Sequence, residues 1–102
     1  MTSTVARKRI EILADAPLLP RLLAILDSSE IGGYTVLPAL SGAGSTGHWN
    51  EDRLTGTSKI VVMAIASDDH AALLVDRLAP LLDSHRLLLT IATVEVVRGD
   101  RF

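Results

Sequence analysis

Gly33-Tyr34-Thr35-Val36-Leu37-Pro38-Ala39-Leu40 runs without a break into Ser41-Gly42-Ala43-Gly44-Ser45-Thr46-Gly47-His48-Trp49. The first half has the aromatic and β-branched residues of a strand. The second half places three glycines, Gly42, Gly44 and Gly47, within six positions. Glycine lets the backbone take positive φ and lets a ligand approach closely, and successive bare N–H groups form an anion-binding concavity. The spacing is not that of a Walker loop, because no Lys-Ser/Thr follows the last glycine. Nor is it a dinucleotide fingerprint, because no helical pattern follows. By itself the segment reads equally as a phosphate cradle or as a surface loop with no ligand.

The flanking patterns set the fold. Upstream, residues 5–14 alternate Ile10 and Ile12 with Arg9 and Glu11, a strand with one polar face. Asp15-Ala16-Pro17 ends it, and Leu19, Leu22, Leu23 and Leu26 then recur at helical spacing over 18–28. Pro17 and Pro20 belong in or before the first turn, where a missing N–H does little harm. The helix is expected to stop in Ser28-Ser29-Glu30-Ile31-Gly32-Gly33, with a glycine after the last turn. Residues 33–40 form the second strand and 41–57 a long loop, a length that marks functional or disordered segments. Ile60-Val61-Val62-Met63-Ala64-Ile65 is almost continuously apolar, as in a central strand covered on both faces. Ser67-Asp68-Asp69 is a helix start, a Ser cap followed by acids at the positive end of the dipole. Ala71, Leu74, Val75 and Leu78 carry its stripe, and Pro80 should kink or end it near Ala79, with a further turn over Leu81 and Leu82 as the alternative. Residues 87–97 read as the last strand. The order is an α+β, ferredoxin-like βαββαβ with a four-stranded antiparallel sheet and both helices on one face. The other face needs a cover.

Composition narrows the function. One domain of 102 residues is 48% hydrophobic but holds one Trp, one Tyr and one Phe, so its core is aliphatic. A net charge of −2 argues against a nucleic-acid binder. The absence of cysteine excludes disulfides, thiolate metal sites and thiol catalysis. No signal-peptide pattern and no apolar run of about 20 residues is present, so a soluble, cytoplasmic protein is expected. His48, His70 and His85 lack the spacing of a zinc site. Ser41, Ser45 and Thr46 beside His48 offer no fixed geometry for an activated hydroxyl, so no catalytic residue and no enzyme is expected. Arg86, Arg98 and Arg101 bracket the last strand, and arginine forks suit phosphate or carboxylate. Each alone reads more readily as a solvated surface charge. Trp49 in a polar segment reads as a partner or ligand contact, or as a ring tucked against its own sheet.

Gly33-Tyr34-Thr35-Val36 followed by Ser41-Gly42-Ala43-Gly44-Ser45-Thr46-Gly47-His48 resembles the PII signalling-protein superfamily. There, a Gly-x-Thr-Val strand end leads into the glycine-rich opening of the T-loop. Arg9-Ile10-Glu11 resembles the family's first strand, Lys59-Ile60-Val61-Val62 its third, and Ser67-Asp68-Asp69 the start of its second helix. The resemblance implies a homotrimer with an adenine nucleotide in each inter-subunit cleft, and a T-loop, here about 41–58, as output surface. By matching position, Gly33 and Thr35 would lie on the adenine side, and Met63 would be an apolar residue lining the pocket. Gly42, Ala43, Gly44 and Ser45, with Gly47 and His48, would form the phosphate turn. Arg86, Arg98 and Arg101 would supply the basic contacts.

The departures are informative. Ser84-His85-Arg86 stands where the family has Gly-Asp-Gly-Lys, and Ser45-Thr46 replace the residues of the nitrogen regulators. These features resemble the divergent PII-like proteins encoded near carboxysome and bicarbonate-transport genes. That resemblance implies ADP or AMP as ligand, with bicarbonate in some members, no tightly bound cofactor, and regulation of inorganic-carbon uptake through a transporter or carboxysome-related partner. The alternative is a metal-sensing or metal-tolerance trimer of the same fold, using His48 or His85.

Overall fold

Thr4–Asp15 forms the first and longest strand, β1, of a computed structural model that describes residues 3–44, 47–50 and 59–97, with side chains at 3–43 and 59–97. A single 3-10 turn, Ala16–Leu18, leads into α1 (Leu19–Ser28). Then follow β2 (Tyr34–Ala39), β3 (Ser41–Gly44), β4 (Gly47–Asn50), β5 (Lys59–Ala66), α2 (Asp68–Ser84) and β6 (Leu88–Val97). The main sheet has the order β2-β5-β1-β6, every neighbour antiparallel, and β3 with β4 makes a separate two-stranded sheet. This is the ferredoxin-like arrangement, with the small hairpin inserted between its second and third strands.

Register assigns the faces, because residues directly opposite in an antiparallel pair share one side. Ile10 stands between Ala64 and Ile91, and Ile12 between Val62 and Leu89. That side is closed by Leu22 and Leu26 of α1 and by Ala71, Leu74, Leu78 and Leu81 of α2, all buried. Full burial of one such leucine contributes about 1.5–3 kcal/mol. On the reverse side, Glu11 stands between Met63 and Thr90, Met63 faces Thr35, and Leu13 faces Val61. Within one chain β5 is covered on one face: Val62, Ala64 and Ala66 are buried, whereas Val61, Met63 and Ile65 are only half-buried. A chain with two helices covers one face.

Three local readings also change. Residues 41–57 were expected to be a loop without structure, but Ser41–Gly44 pairs with Gly47–Asn50, and Gly42 faces Trp49. Backbone pairing does not require the alternating apolar pattern by which a strand is read from sequence. Residues 51–58 lie outside the described part. Pro80 neither ends nor breaks α2, which continues to Ser84. Pro80 and Asp76 are both exposed, so the Asp76 carbonyl freed by the missing N–H reaches water. Leu81, at 3% exposure, extends the buried stripe of Leu74 and Leu78 and holds the extra turn. Finally, no glycine caps α1: Glu30 takes the left-handed position at φ 61.

The end of α1 is fully satisfied. The N–H of Ser29 donates to Ile25 O and Leu26 O, that of Glu30 to Asp27 O, and that of Ile31 to Leu26 O. Arg77 Nη1 of α2 donates to Ser28 O. Each of the last four carbonyls of α1 therefore has a donor. The 6→1 and 5→2 bonds are a Schellman motif, closed by apolar residues at both ends, Leu26 and Ile31, each buried. At the other helix end, Ser67 Oγ accepts from His70 N–H (3.3 Å), as the sequence predicts.

Leu74→Ala should lower unfolding free energy by about 2–5 kcal/mol in urea, with an unchanged m-value, because the residue is wholly buried. Pro80→Ala, which returns an N–H to an exposed helix position, should raise it by about 1–3 kcal/mol. A destabilised Pro80→Ala protein would show that the ring itself is packed.

Candidate functional site

The sheet presents a strip of candidate residues along β2 and β5 on its open side. Thr35 and Met63 are directly opposite each other. One step towards the start of β2, Gly33 and Ile65 line a cavity of about 310 Å³. Its floor is Ile31 and Ala66, and its rim is Gly32, Glu30 and His70. The cavity exists because α1 ends and α2 begins at the same end of the sheet, with the turn into β2 passing between them.

The rim is electrostatically organised. His70 Nε2 lies 3.1 Å from Glu30 Oε2, with side-chain exposures of 42% and 74%. Such an exposed pair is worth about 0–1 kcal/mol. The left-handed backbone beneath it costs a non-glycine residue roughly 1–2 kcal/mol. The pair therefore does not explain on stability grounds why a glutamate occupies a glycine position. Gly32, by contrast, has an ordinary φ, and a Cβ built on it would meet nothing within 4 Å.

The other predicted residues lie elsewhere. Gly42 and Ala43 sit on β3, beyond the far end of β2, so the strip from Gly33 through Thr35 runs towards them. Gly44, Gly47 and His48 pair in the same hairpin by backbone, Gly44 with Gly47 and Ala43 with His48. Arg86 follows α2 at φ 50 and precedes β6, the edge strand opposite β2. Three strand spacings, about 14 Å, separate those edges. One chain therefore gathers Gly33, Thr35 and Met63, keeps the hairpin at the end of that strip, and holds Arg86 apart. Ser45, Arg98 and Arg101 lie outside the described residues.

Sequence reasoning missed Glu30 and Ile65 at the cavity and set His70 aside with the other histidines for lacking the spacing of a zinc site. A signal was present. Leu26 and Ile31 have the spacing of the apolar pair that closes a Schellman motif, which puts the left-handed residue at Glu30 and leaves Gly32 without a conformational duty.

The open side carries further chemistry. Arg9 Nη2 and Glu11 Oε1 are 2.7 Å apart in the middle of it, both partly exposed. Around them lie apolar side chains, with Leu37 47% and Leu88 57% exposed. Among the described residues no group of three metal-ligating side chains converges. His85 is exposed and shares a 2.8 Å hydrogen bond with Ser84 Oγ. No helix among the described residues is long and apolar enough to cross a membrane.

Comparison with known proteins gives the geometry a context. The family described as nitrogen regulatory protein P-II matches residues 7–101. Among solved structures, CPII from Thiomonas intermedia K12, a nitrogen regulatory PII-like protein bound to ADP, AMP and bicarbonate, superposes with a TM-score of 0.89 at 22% identity. That match covers 98% of this chain and 96% of CPII. CPII bound to ADP and bicarbonate gives 0.86 at 24% identity, over 98% and 97% of the two chains. A PII-like signalling candidate from Thermus thermophilus gives 0.78 at 27% identity, over 98% of each chain. No curated protein matches the chain. The family match spans every strand of the main sheet and both helices, and the chain belongs to the nitrogen regulatory protein P-II family.

Proposed function

We propose that this PII-like signalling protein binds ADP or AMP, together with bicarbonate, in clefts between the copies of a homotrimer. Binding regulates inorganic-carbon uptake, or a related transporter or carboxysome-associated partner, through segment 41–58. The observation that carries the proposal is the division of the candidate residues. Gly33, Thr35 and Met63 lie on the β2–β5 side of the open face, and Arg86 precedes the opposite edge strand. A second copy set against the first brings the two edges together and covers Val61, Met63, Ile65, Leu37 and Leu88. The ligands bound by CPII support the choice of adenine nucleotide and bicarbonate.

In this reading Gly33, Thr35 and Met63 hold the base side. The peptide groups of Gly42, Ala43, Gly44, Ser45, Gly47 and His48 surround the phosphates, and Arg86, Arg98 and Arg101 supply charge-assisted hydrogen bonds. The activity is binding, not catalysis. Ligand contacts along the 41–58 segment change the surface offered to a partner.

Thermal unfolding with AMP, ADP and ATP, each with and without bicarbonate, tests the ligand. A nucleotide at 100 times its Kd should stabilise the fold by about 2.7 kcal/mol, a rise of several degrees. No rise with any nucleotide would overturn the reading. A rise indifferent to bicarbonate would remove the carbon-uptake part. Sedimentation should give a trimer mass, and Met63→Glu on the open face should yield monomers that no longer bind. Full affinity in a monomer would refute the shared cleft.

A further inference from the structure

At the cavity beside Gly33, two residues stand each in the place the fold would give to the other. The left-handed position after α1, where glycine is the default, carries Glu30 at φ 61. Two residues on, Gly32 occupies an ordinary backbone conformation with open space where its side chain would be. The Schellman closure needs a left-handed residue there but not a glutamate. The choice of Glu30 over glycine is strain that the helix end does not require, and such strain concentrates where a ligand is held. The space kept open by Gly32 belongs to the cavity, whose volume of about 310 Å³ lies at the lower end of the roughly 300–1,000 Å³ of small-molecule sites.

The chemistry of the rim selects what can enter. Glu30 contributes an acceptor, and its Oε2 is held by His70 Nε2, which leaves Oε1 for a ligand. Asp68 and Asp69 follow in the first turn of α2, and the cap of that turn is already used by Ser67. A phosphate would meet carboxylates here. An uncharged ring bearing an amino group would meet apolar walls, Ile31, Ile65 and Ala66, and an acceptor at the rim.

We propose that Glu30 is a specificity-determining residue that reads the exocyclic amino group of a purine nucleotide, with His70 as the residue that positions its carboxylate. The inference deepens the nucleotide reading above and rests on it. Glu30 Oε1 accepts a hydrogen bond from the 6-amino group. A 6-oxo purine puts a carbonyl oxygen against the same carboxylate and is rejected, because two acceptors meet with no proton between them. The base then lies at the cavity and the phosphates point away from the acidic rim.

Calorimetric titration with adenosine monophosphate and inosine monophosphate, which differ in the 6-amino and 6-oxo groups, tests the assignment. The wild-type protein should bind the 6-amino nucleotide at least about tenfold more tightly, the effect of one hydrogen bond to a charged group. Glu30→Gln, whose amide can both donate and accept, should bring that ratio close to one. His70→Ala should reduce the ratio by a smaller factor with little change in melting temperature. Gly32→Val should fill the cavity and weaken both nucleotides while the circular dichroism spectrum is retained. A Glu30→Gln protein with an unchanged ratio would overturn the role of Glu30 and leave the nucleotide reading intact. Failure of the wild-type protein to bind either nucleotide would overturn both.

Discussion

A sheet has two faces, and its central strand β5 carries apolar residues on both. The helices close the side bearing Ile10, Ile12, Val62 and Ala64, which becomes the interior. Because side chains alternate strictly along a strand, Val61, Met63 and Ile65 must then emerge on the other side, and no element of the chain among the described residues remains to cover them. The architecture follows from that alternation. It fixes where the candidate residues lie, since Thr35 shares the outward face with Met63. It also gives the molecule a surface more apolar than one chain in water would favour.

The helix ends translate this layering into a site. α1 is held by Leu22 and Leu26, and its last turn is finished by peptide donors and by Arg77 reaching across from α2. That contact locks the two helices together beside the point where the chain turns into β2. The left-handed backbone at Glu30 is tolerated because it is enclosed by the Leu26–Ile31 closure and by a complete set of hydrogen bonds. A rigid surround lets an unfavourable conformation persist and present its side chain in one direction.

Much of this could be read from the residues. The strands announced themselves by alternation at Ile10 and Ile12 and by the apolar run from Ile60 to Ile65, and α2 by its Ser67 cap. What resisted reading had physical causes. The expectation at Pro80 set a lost hydrogen bond against a further turn at Leu81 and Leu82, and the burial of Leu81 decides for the turn. The pairing of Ser41–Gly44 with Gly47–Asn50 joins two segments that lack the apolar alternation by which a strand is read from sequence. The cavity was hidden for a third reason: Glu30, Gly33, Ile65 and His70 come from three separate segments and meet only through the crossing of α1, β5 and α2. The strand that leads into the glycine-rich segment was legible in its β-branched residues, whereas the separation of Arg86 from that segment needed the strand order.

The ion pair of Arg9 and Glu11 has a bearing on how the open face can be matched. The two charges, 2.7 Å apart, stand among half-buried hydrocarbon near the middle of the sheet. Any surface laid over them removes their water, and a desolvated pair is tolerated only where its remaining donors and acceptors find partners. Hydrocarbon alone would accept many alignments, since one aliphatic patch slides over another with small loss. With the pair at its centre, a shift by one residue presses guanidinium or carboxylate against methyl groups. The alignment of anything that covers this face is thus dictated by two polar side chains, and its apolar residues supply adhesion without address.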